Sequence, residues 1–252
     1  MKDMSDTVAD TGGETILPAE EPNVAAHAAP VKVQGRQLAS KWAKTKALLS
    51  HPRIAPHIPP TRMYNAENLK SMLKTHGMVV IKPVRGGGGH GVIKVSAEGG
   101  GYSYTQHMKT HRFSSFAALG RALDSKRNGR KYLIQKGIWL ATVGGRPIDY
   151  RVKYVKEGGR WKYRSMVGRV ARPGLFVTNL CQGGTMLTAA QGISRSFSKS
   201  MVKSKKREMR KLTELSTHVL TSRFPGLSQF GYDYGIDKNG KIWIFEVNTR
   251  PQ

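Results

Sequence analysis

Cysteine occurs once in the 252 residues, at Cys181. An internal disulfide and a cysteine-based metal site are therefore excluded, and a small apolar filler is the reading of that side chain. No apolar run approaches the ~18 residues needed to cross a bilayer, so no membrane span is expected. The opening MKDMSDTVAD has no basic stretch followed by an apolar one. No secretory signal is therefore expected, and the expected compartment is the cytoplasm. The patterns G-x-S-x-G, H-E-x-x-H, H-R-D and D-F-G are absent, which removes the hydrolase elbow, the zinc protease and the protein kinase. There is no internal repeat.

Acidic residues are scarce outside one short segment. Residues 1–30 hold six acids and one lysine, leaving 41 basic against 10 acidic groups in the remaining 222 residues, a net +31. Such an excess fits an acidic partner, whether nucleotide, nucleic acid, anionic polymer or acidic peptide, and equally a solvated basic surface. Residues 1–35, rich in Ala, Pro, Glu, Asp and Thr with few large apolar groups, are expected to form a disordered acidic tail.

What the sequence does have is glycine in one place. In VVIKPVRGGGGHGVIKV, residues 79–95, Lys82 ends an apolar run, and Gly86, Gly87, Gly88, Gly89 and His90 lead into a second β-branched run. The spacing Gly86, Gly88, Gly91 satisfies G-x-G-x-x-G, but a strand follows instead of a helix, against a dinucleotide turn. No Gly-Lys-Ser/Thr follows, against a Walker loop. A glycine-rich hairpin remains, either a plain tip or a lid whose backbone N–H groups approach a phosphate. His90 can bond that phosphate or face solvent.

Along the chain, the pattern predicts a helix from Gln37 to Leu49 and an extended, proline-rich connection from His51 to Pro60. Asn65 caps a helix carrying Leu69, Met72 and Leu73 and stopped by Gly77. Ser114 or Ser115 starts another through Phe116, Leu119 and Leu123, and a buried strand follows from Tyr132 to Gln135. A second hairpin runs from Asp149 to Arg169, turning at Gly158-Gly159. Met209, Leu212, Leu215 and Val219 then mark a helix with a basic face supplied by Lys203, Lys205, Lys206, Arg207, Arg210 and Lys211. Trp42, Trp139 and Trp243 are read as core or hinge packing.

The segment GYDYGIDKNGKIWIFEVNTRPQ ends the sequence on a hairpin signal, Asn239-Gly240. A two-residue turn there pairs Lys238 with Lys241 and sets Asp233 directly opposite Glu246, with Asn248 one pleat further on the same face. Like charges so placed are destabilising unless compensated. A cation compensates them, and Asp233, Glu246 and Asn248 offer the hard oxygens that suit Mg²⁺ (or Mn²⁺) together with nucleotide phosphates. The alternative is neutralisation by Arg or Lys neighbours.

Taken in order, SKWAKTKALL, VVIKPVRGGGGHG, YLIQKGIW, DYRVKYV, GRVARPGLFVTNLCQGGT, GYDYGID and FEVNTRP resemble the ATP-grasp superfamily. SKW, HIPPTR, ENL, VVIKPV and IWIFEVNTRP are most similar to its YheC/YheD-type endospore coat-associated branch. Residues 149–184 are also similar to RimK-type ligases. The resemblance implies an α+β fold of two lobes, 36–134 and 135–252, with antiparallel sheets and nucleotide between them. It implies that Lys41 and Lys82 reach ATP phosphates beneath the glycine lid and that Gln135, Lys136, Gly137 and Ile138 form the adenine hinge. By the same resemblance Asp149 and Arg151 match the D-x-R strand, Arg169 and Asn179 match positions that face the terminal phosphate and acyl intermediate, and Asp233, Glu246 and Asn248 match the magnesium ligands.

The implied activity is a carboxylate–amine ligase working through an acyl phosphate on an unknown acidic peptide or polymer and an amine acceptor. A spore-coat structural protein that keeps the ATP fold without ligation is the alternative, with coat proteins or an anionic polymer as partners. Nucleic acid is disfavoured, because aromatics interleaved with basic residues are missing from 195–211 except for Phe197. Many ATP-grasp enzymes carry a folded domain before the first lysine, and they usually continue past the metal strand. Here only residues 1–40 precede Lys41, and Gln252 follows Asn248 closely, so a partner, a second copy in an oligomer or the basic surface is expected to complete the acceptor site.

Overall fold

The computed structural model describes residues 36–176, 178 and 183–251. The expected acidic tail, Asn179 and Cys181 lie outside the described residues. The described residues belong to one compact unit built on two antiparallel sheets.

The first sheet has the order β1 (Thr61–Met63), β6 (Tyr132–Lys136), β2 (Met78–Pro83), β3 (Ile93–Glu98), β4 (Gly101–Gln106) and β5 (Lys109–Phe113). The glycine loop connects β2 to β3, which pair antiparallel out to Ile81 opposite Ile93. A strand–loop–strand unit is therefore present where a helix would have signalled a dinucleotide turn. Two capped helices cover the sheet. In α2 (Ala66–His76), the Asn65 side chain accepts the Asn68 N–H at 2.7 Å and Gly77 closes the far end at φ 70°. In α3 (Phe116–Arg127), Ser115 caps by accepting the Ala118 N–H at 3.2 Å. Leu69, Leu73, Leu119 and Leu123 from these helices bury against Val79, Ile81 and Ile93. Strand β6 belongs whole to this sheet, which ends after Lys136.

The second sheet runs β10 (Thr185–Thr188), β9 (Arg160–Val170), β8 (Arg146–Glu157), β11 (Gln229–Ile236) and β12 (Ile242–Asn248), with short β7 (Thr142–Val143) also paired to β8. One face is covered by α1 (Lys41–Leu49), α4 (Ala189–Ser196) and α5 (Met201–Arg223). Helix α1 starts four residues later than the pattern predicts, because Ser40 adopts extended backbone and caps it by accepting from the Ala43 N–H. The proline-rich connection is interrupted by a 3-10 turn at Ala55–His57.

Strand β11 shows how the two faces divide. Phe230, Tyr232, Tyr234 and Ile236 point to the helices, while Gly231, Asp233 and Gly235 point the other way. The Tyr232 and Tyr234 hydroxyls each bond a threonine of α5, Thr217 and Thr213, at 2.8 Å. Two strand residues span ~6.7 Å and one i,i+4 helical step ~6 Å, so both tyrosines reach the same helix face. Buried hydroxyls need partners, and these pairs clip a strongly basic helix to the sheet.

Tyr232→Phe leaves the buried Thr217 hydroxyl without that partner and is expected to lower stability by about 1–2 kcal/mol, read as a shift in the urea midpoint at unchanged slope.

Candidate nucleotide and metal site

Between the two sheets lies a cleft of about 430 Å³. Its floor is the helix-free face of the second sheet. Strand pairing puts Asp233 opposite both Arg151 and Glu246, and one pleat away it puts Asp149 opposite Arg169. Arg169 grips Asp149 with two bonds of 2.8 and 2.5 Å and reaches Asp233 at 3.0 Å. Arg151 holds both Asp233 oxygens at 2.5 and 2.9 Å, and the Asn248 amide lies 3.4 Å from one of them. Burial opposes ionisation of Asp233, yet the charges of Arg169 and Arg151 prevail and hold its carboxyl below the ordinary range.

The opposition of Asp233 and Glu246 is present, but by a different route from the expected one. The turn closes on Asp237 and Lys241, one residue earlier on the first strand than a two-residue turn, with the Gly240 N–H donating to the Asp237 carbonyl and Gly240 at φ 82°. A β-bulge at Phe245 then inserts one residue, so the pairing passes from Tyr234 opposite Ile244 to Asp233 opposite Glu246. The bulge matters locally. It turns the Phe245 carbonyl out of the ladder to accept from Lys82 Nζ at 2.8 Å, and the Phe245 ring lies where a Cβ on Gly235 would sit.

Lys82 also donates to Gln135 Oε1 at 2.9 Å, and Gln135 in turn donates to Thr61 Oγ1. Lys41, the first residue of α1, pairs with Glu246 at 2.8 Å and donates to the Gly86 carbonyl. The like-charge pair is thus compensated by Arg151, Arg169 and Lys41, the alternative to a cation. Among the described residues, no three of His, Cys, Asp and Glu cluster closely enough to hold a metal alone. Asp233, Glu246 and Asn248 do supply three hard oxygens on adjoining strand positions, so the donor set fits Mg²⁺ completed by phosphate or water oxygens.

Of the residues expected here, Lys41, Lys82, Gly86 to Gly89, His90, Gln135, Lys136, Ile138, Arg151, Arg169, Asp233, Glu246 and Asn248 all border this cleft. Gly137 does not line it. Its N–H bonds the Met78 carbonyl at 3.0 Å, and a Cβ there would strike the Met78 sulfur, so its glycine serves strand packing. Trp139 is corrected too, being 61% exposed at the cleft mouth instead of packed. Lys94 and Lys238 also line the cleft and escaped sequence reading, although a lysine between Ile93 and Val95 was a usable signal. Seven lysine and arginine side chains against three carboxylates leave the described lining positive.

Two antiparallel sheets enclosing such a cleft, with a glycine hairpin over paired lysines, define an ATP-grasp protein. The family model described as YheC/D like ATP-grasp matches residues 31–252, and the chain belongs to that family. It is 30% identical over 220 residues to endospore coat-associated protein YheD of Bacillus subtilis (strain 168), and 28% over 226 residues to YheC of the same organism. Those alignments cover 84% and 86% of this chain but only 48% and 61% of the relatives' own lengths. Carboxyaminoimidazole ribonucleotide synthase from Aspergillus clavatus, solved with ATP, matches at a TM-score of 0.54 and 13% identity over 86% of this chain and 46% of that one, a likeness of fold. No described helix is long and apolar enough to cross a membrane.

Burial draws the Lys82 and Lys44 ammonium groups down from 10.5 to about 8, against the attraction of Glu246. The folded chain therefore releases protons near pH 8 that the unfolded chain holds to about pH 10.4, and these groups make stability rise with pH across that interval. Above about pH 10 the buried tyrosines act oppositely, since Tyr232 and Tyr234 are raised by burial. Lys44→Met, which removes a donor from the Leu38 carbonyl that Thr249 also approaches, is expected to flatten the pH 8–10 rise in urea-unfolding free energy.

Proposed function

We propose that the chain is an ATP- and Mg²⁺-dependent carboxylate–amine ligase acting on an acidic peptide or polymer. The supporting observation is the convergence of Lys41 and Lys82 on the Glu246 end of a charged sheet face that also carries Arg151 and Arg169. The ATP held by the synthase of similar fold is consistent with this reading.

In this reading the lobe centred on the first sheet supplies Lys82 and the loop 86–90 for the phosphates, and the other supplies the reacting centre. Asp233, Glu246 and Asn248 hold Mg²⁺ (or Mn²⁺), which when bound neutralises phosphate charge and favours in-line transfer. To do so, Asp233 loosens its bonds to Arg151 and Asn248, and Glu246 its bond to Lys41. The released cations then face phosphate and carboxylate oxygens. The substrate carboxylate attacks the γ-phosphorus as the bond to ADP breaks. The amine then attacks the acyl carbon, phosphate leaves, and the amine proton passes to solvent. No protein nucleophile is required, and Arg169 and Arg151 stabilise the charge that develops. Asn179, by family resemblance, assists at the acyl intermediate.

A second reading, a coat-associated protein that binds nucleotide without ligation, is favoured by one feature. Asp233 and Glu246 are already neutralised by arginine and lysine, so the fold stands without a divalent ion.

ATP turnover is measured over a panel of amino acids and acidic peptides, with Glu246→Gln beside the parent chain. ADP release that requires both Mg²⁺ and one acceptor, and that falls at least a hundredfold in Glu246→Gln, is expected. Tight Mg²⁺-linked nucleotide binding with no turnover on any acceptor would select the second reading.

A further inference from the structure

The polar face that floors the cleft does not end at Arg151. On β8, Tyr150 and Val152 join the core on the helix side, so Asp149, Arg151 and Lys153 share the opposite face. On β9, Met166 and Val170 pack with that same core, which turns Ser165, Val167 and Arg169 to the cleft side. Strand pairing then sets Asp149 opposite Arg169, Arg151 opposite Val167, and Lys153 opposite Ser165, in successive rows on one face. The first two rows contain the arginines of the cleft floor. The third lies ~6.7 Å beyond Arg151, two residues along an extended strand.

This outer row is polar and uncommitted. Lys153 and Ser165 are half-buried, and neither side chain makes a hydrogen bond or an ion pair among the described residues. Directly opposed strand residues have Cβ atoms ~5 Å apart, close enough for an ammonium and a hydroxyl to bond the same small anion. The cations on either side are occupied. Arg151 and Arg169 hold Asp233 and Asp149, while past the β-bulge that follows Lys153 both Arg164 and Lys162 pair with Glu157. Between these two sets stands Lys153, with no described acid to balance it. Val167 supplies an apolar element next to it. It faces the cleft opposite Arg151 and diagonal to Lys153, so a short run of methylenes crossing from the second row to the third passes over a half-buried aliphatic surface.

We infer that Lys153 and Ser165 form a subsite for a second carboxylate of the acyl substrate, so that the acid activated in the cleft is a short dicarboxylic acid or a residue that ends in one. The inference rests on the reading that phosphoryl transfer takes place beside Arg151 and Arg169. One carboxylate is presented there to the γ-phosphate, and the aliphatic spacer lies over Val167. The other carboxylate accepts from the Lys153 ammonium and the Ser165 hydroxyl. A monocarboxylic acid leaves that ammonium without a partner and lacks the anchor that fixes the reacting end. Lys153 is therefore a specificity determinant.

Glutarate and its monoamide, which differ by one charge at nearly equal size, are titrated by calorimetry into the full chain with ADP and Mg²⁺. Glutarate is expected to bind about tenfold more tightly, through charge-assisted hydrogen bonds to its second carboxylate. Lys153→Gln is expected to erase that preference, Lys153→Arg to keep it, and Ser165→Ala to reduce it about threefold. Lys156→Gln, an equal loss of charge at an exposed position of the same strand, is expected to leave it unchanged. Failure of glutarate to bind, equal affinity for the two acids, a preference that survives in Lys153→Gln, or an equal loss in Lys156→Gln would overturn the proposal. Circular dichroism checks the fold of each variant, and the comparison of the two acids on the parent chain stands without any of them. Phosphoryl transfer is read separately as hydroxamate, formed when hydroxylamine attacks the acyl phosphate and phosphate leaves. Lys153-dependent glutarate binding without hydroxamate keeps the subsite and sinks the ligase reading. Hydroxamate formed equally from both acids and unaffected by Lys153→Gln keeps the ligase and sinks the subsite.

Discussion

Asp233 meets Arg151, Arg169 and Asn248 at once, and most of what surrounds it follows from the need to keep that carboxylate buried and ionised. A carboxylate taken from water is tolerable only with charged partners of good geometry, and removal of one partner leaves an uncompensated charge. The requirement fixes which face of β11 looks into the cleft and, through strand pairing, where Arg151 and Glu246 stand. Small residues on either side of Asp233 make room for the arrangement. A side chain on Gly231 would strike Pro251, and one on Gly235 would strike Phe245.

The opposite face of the same strand bears the mechanical load. Phe230, Tyr232, Tyr234 and Ile236 anchor α5 and the larger core cluster, so the residues that carry the chemistry alternate one by one with those that hold the fold. This explains how a chain with so large a positive excess folds at all. Apart from the buried Lys44, its described cations lie on solvent faces or at the cleft, while the interior of each lobe is ordinary aliphatic and aromatic packing. It also explains why Lys82 sits deep in that cleft at the cost of a depressed pKa. The Phe245 carbonyl and Gln135 hold the ammonium in place, and a multiply charged anion nearby would raise its pKa again.

Much of the fold was legible because local signals agreed with one another. Asn65 caps the helix it was expected to cap, Ser115 of the two candidate serines caps the next, Gly77 stops the first, and Gly158-Gly159 turns the long hairpin. The strands Gly101–Gln106 and Lys109–Phe113 went unread, because the second is an exposed edge strand and the first, beside it, fully buries only Tyr104, so neither shows a hydrophobic alternation. Short β1 and β10 lack enough residues to show a period. The terminal hairpin is more instructive. The turn was misjudged by one residue, and the pairing of Asp233 with Glu246 came out right because the Phe245 bulge offsets that shift, and a bulge has no local sequence mark of its own.

The sequence alone settled the ATP-grasp family, the strand–glycine loop–strand unit, and the residue types gathered at the cleft, because these rest on order, spacing and short-range backbone preference. Tertiary structure alone decided which groups touch. Gln135 holds Lys82, Arg169 bridges Asp149 and Asp233, and Gly137 packs on Met78 away from the cleft. Only the folded chain brings Lys136, Trp139, Lys238 and Trp243 to one groove. Those outcomes depend on contacts between residues far apart in the chain, where the energy of a pair is set by burial and distance that no window of neighbouring residues contains.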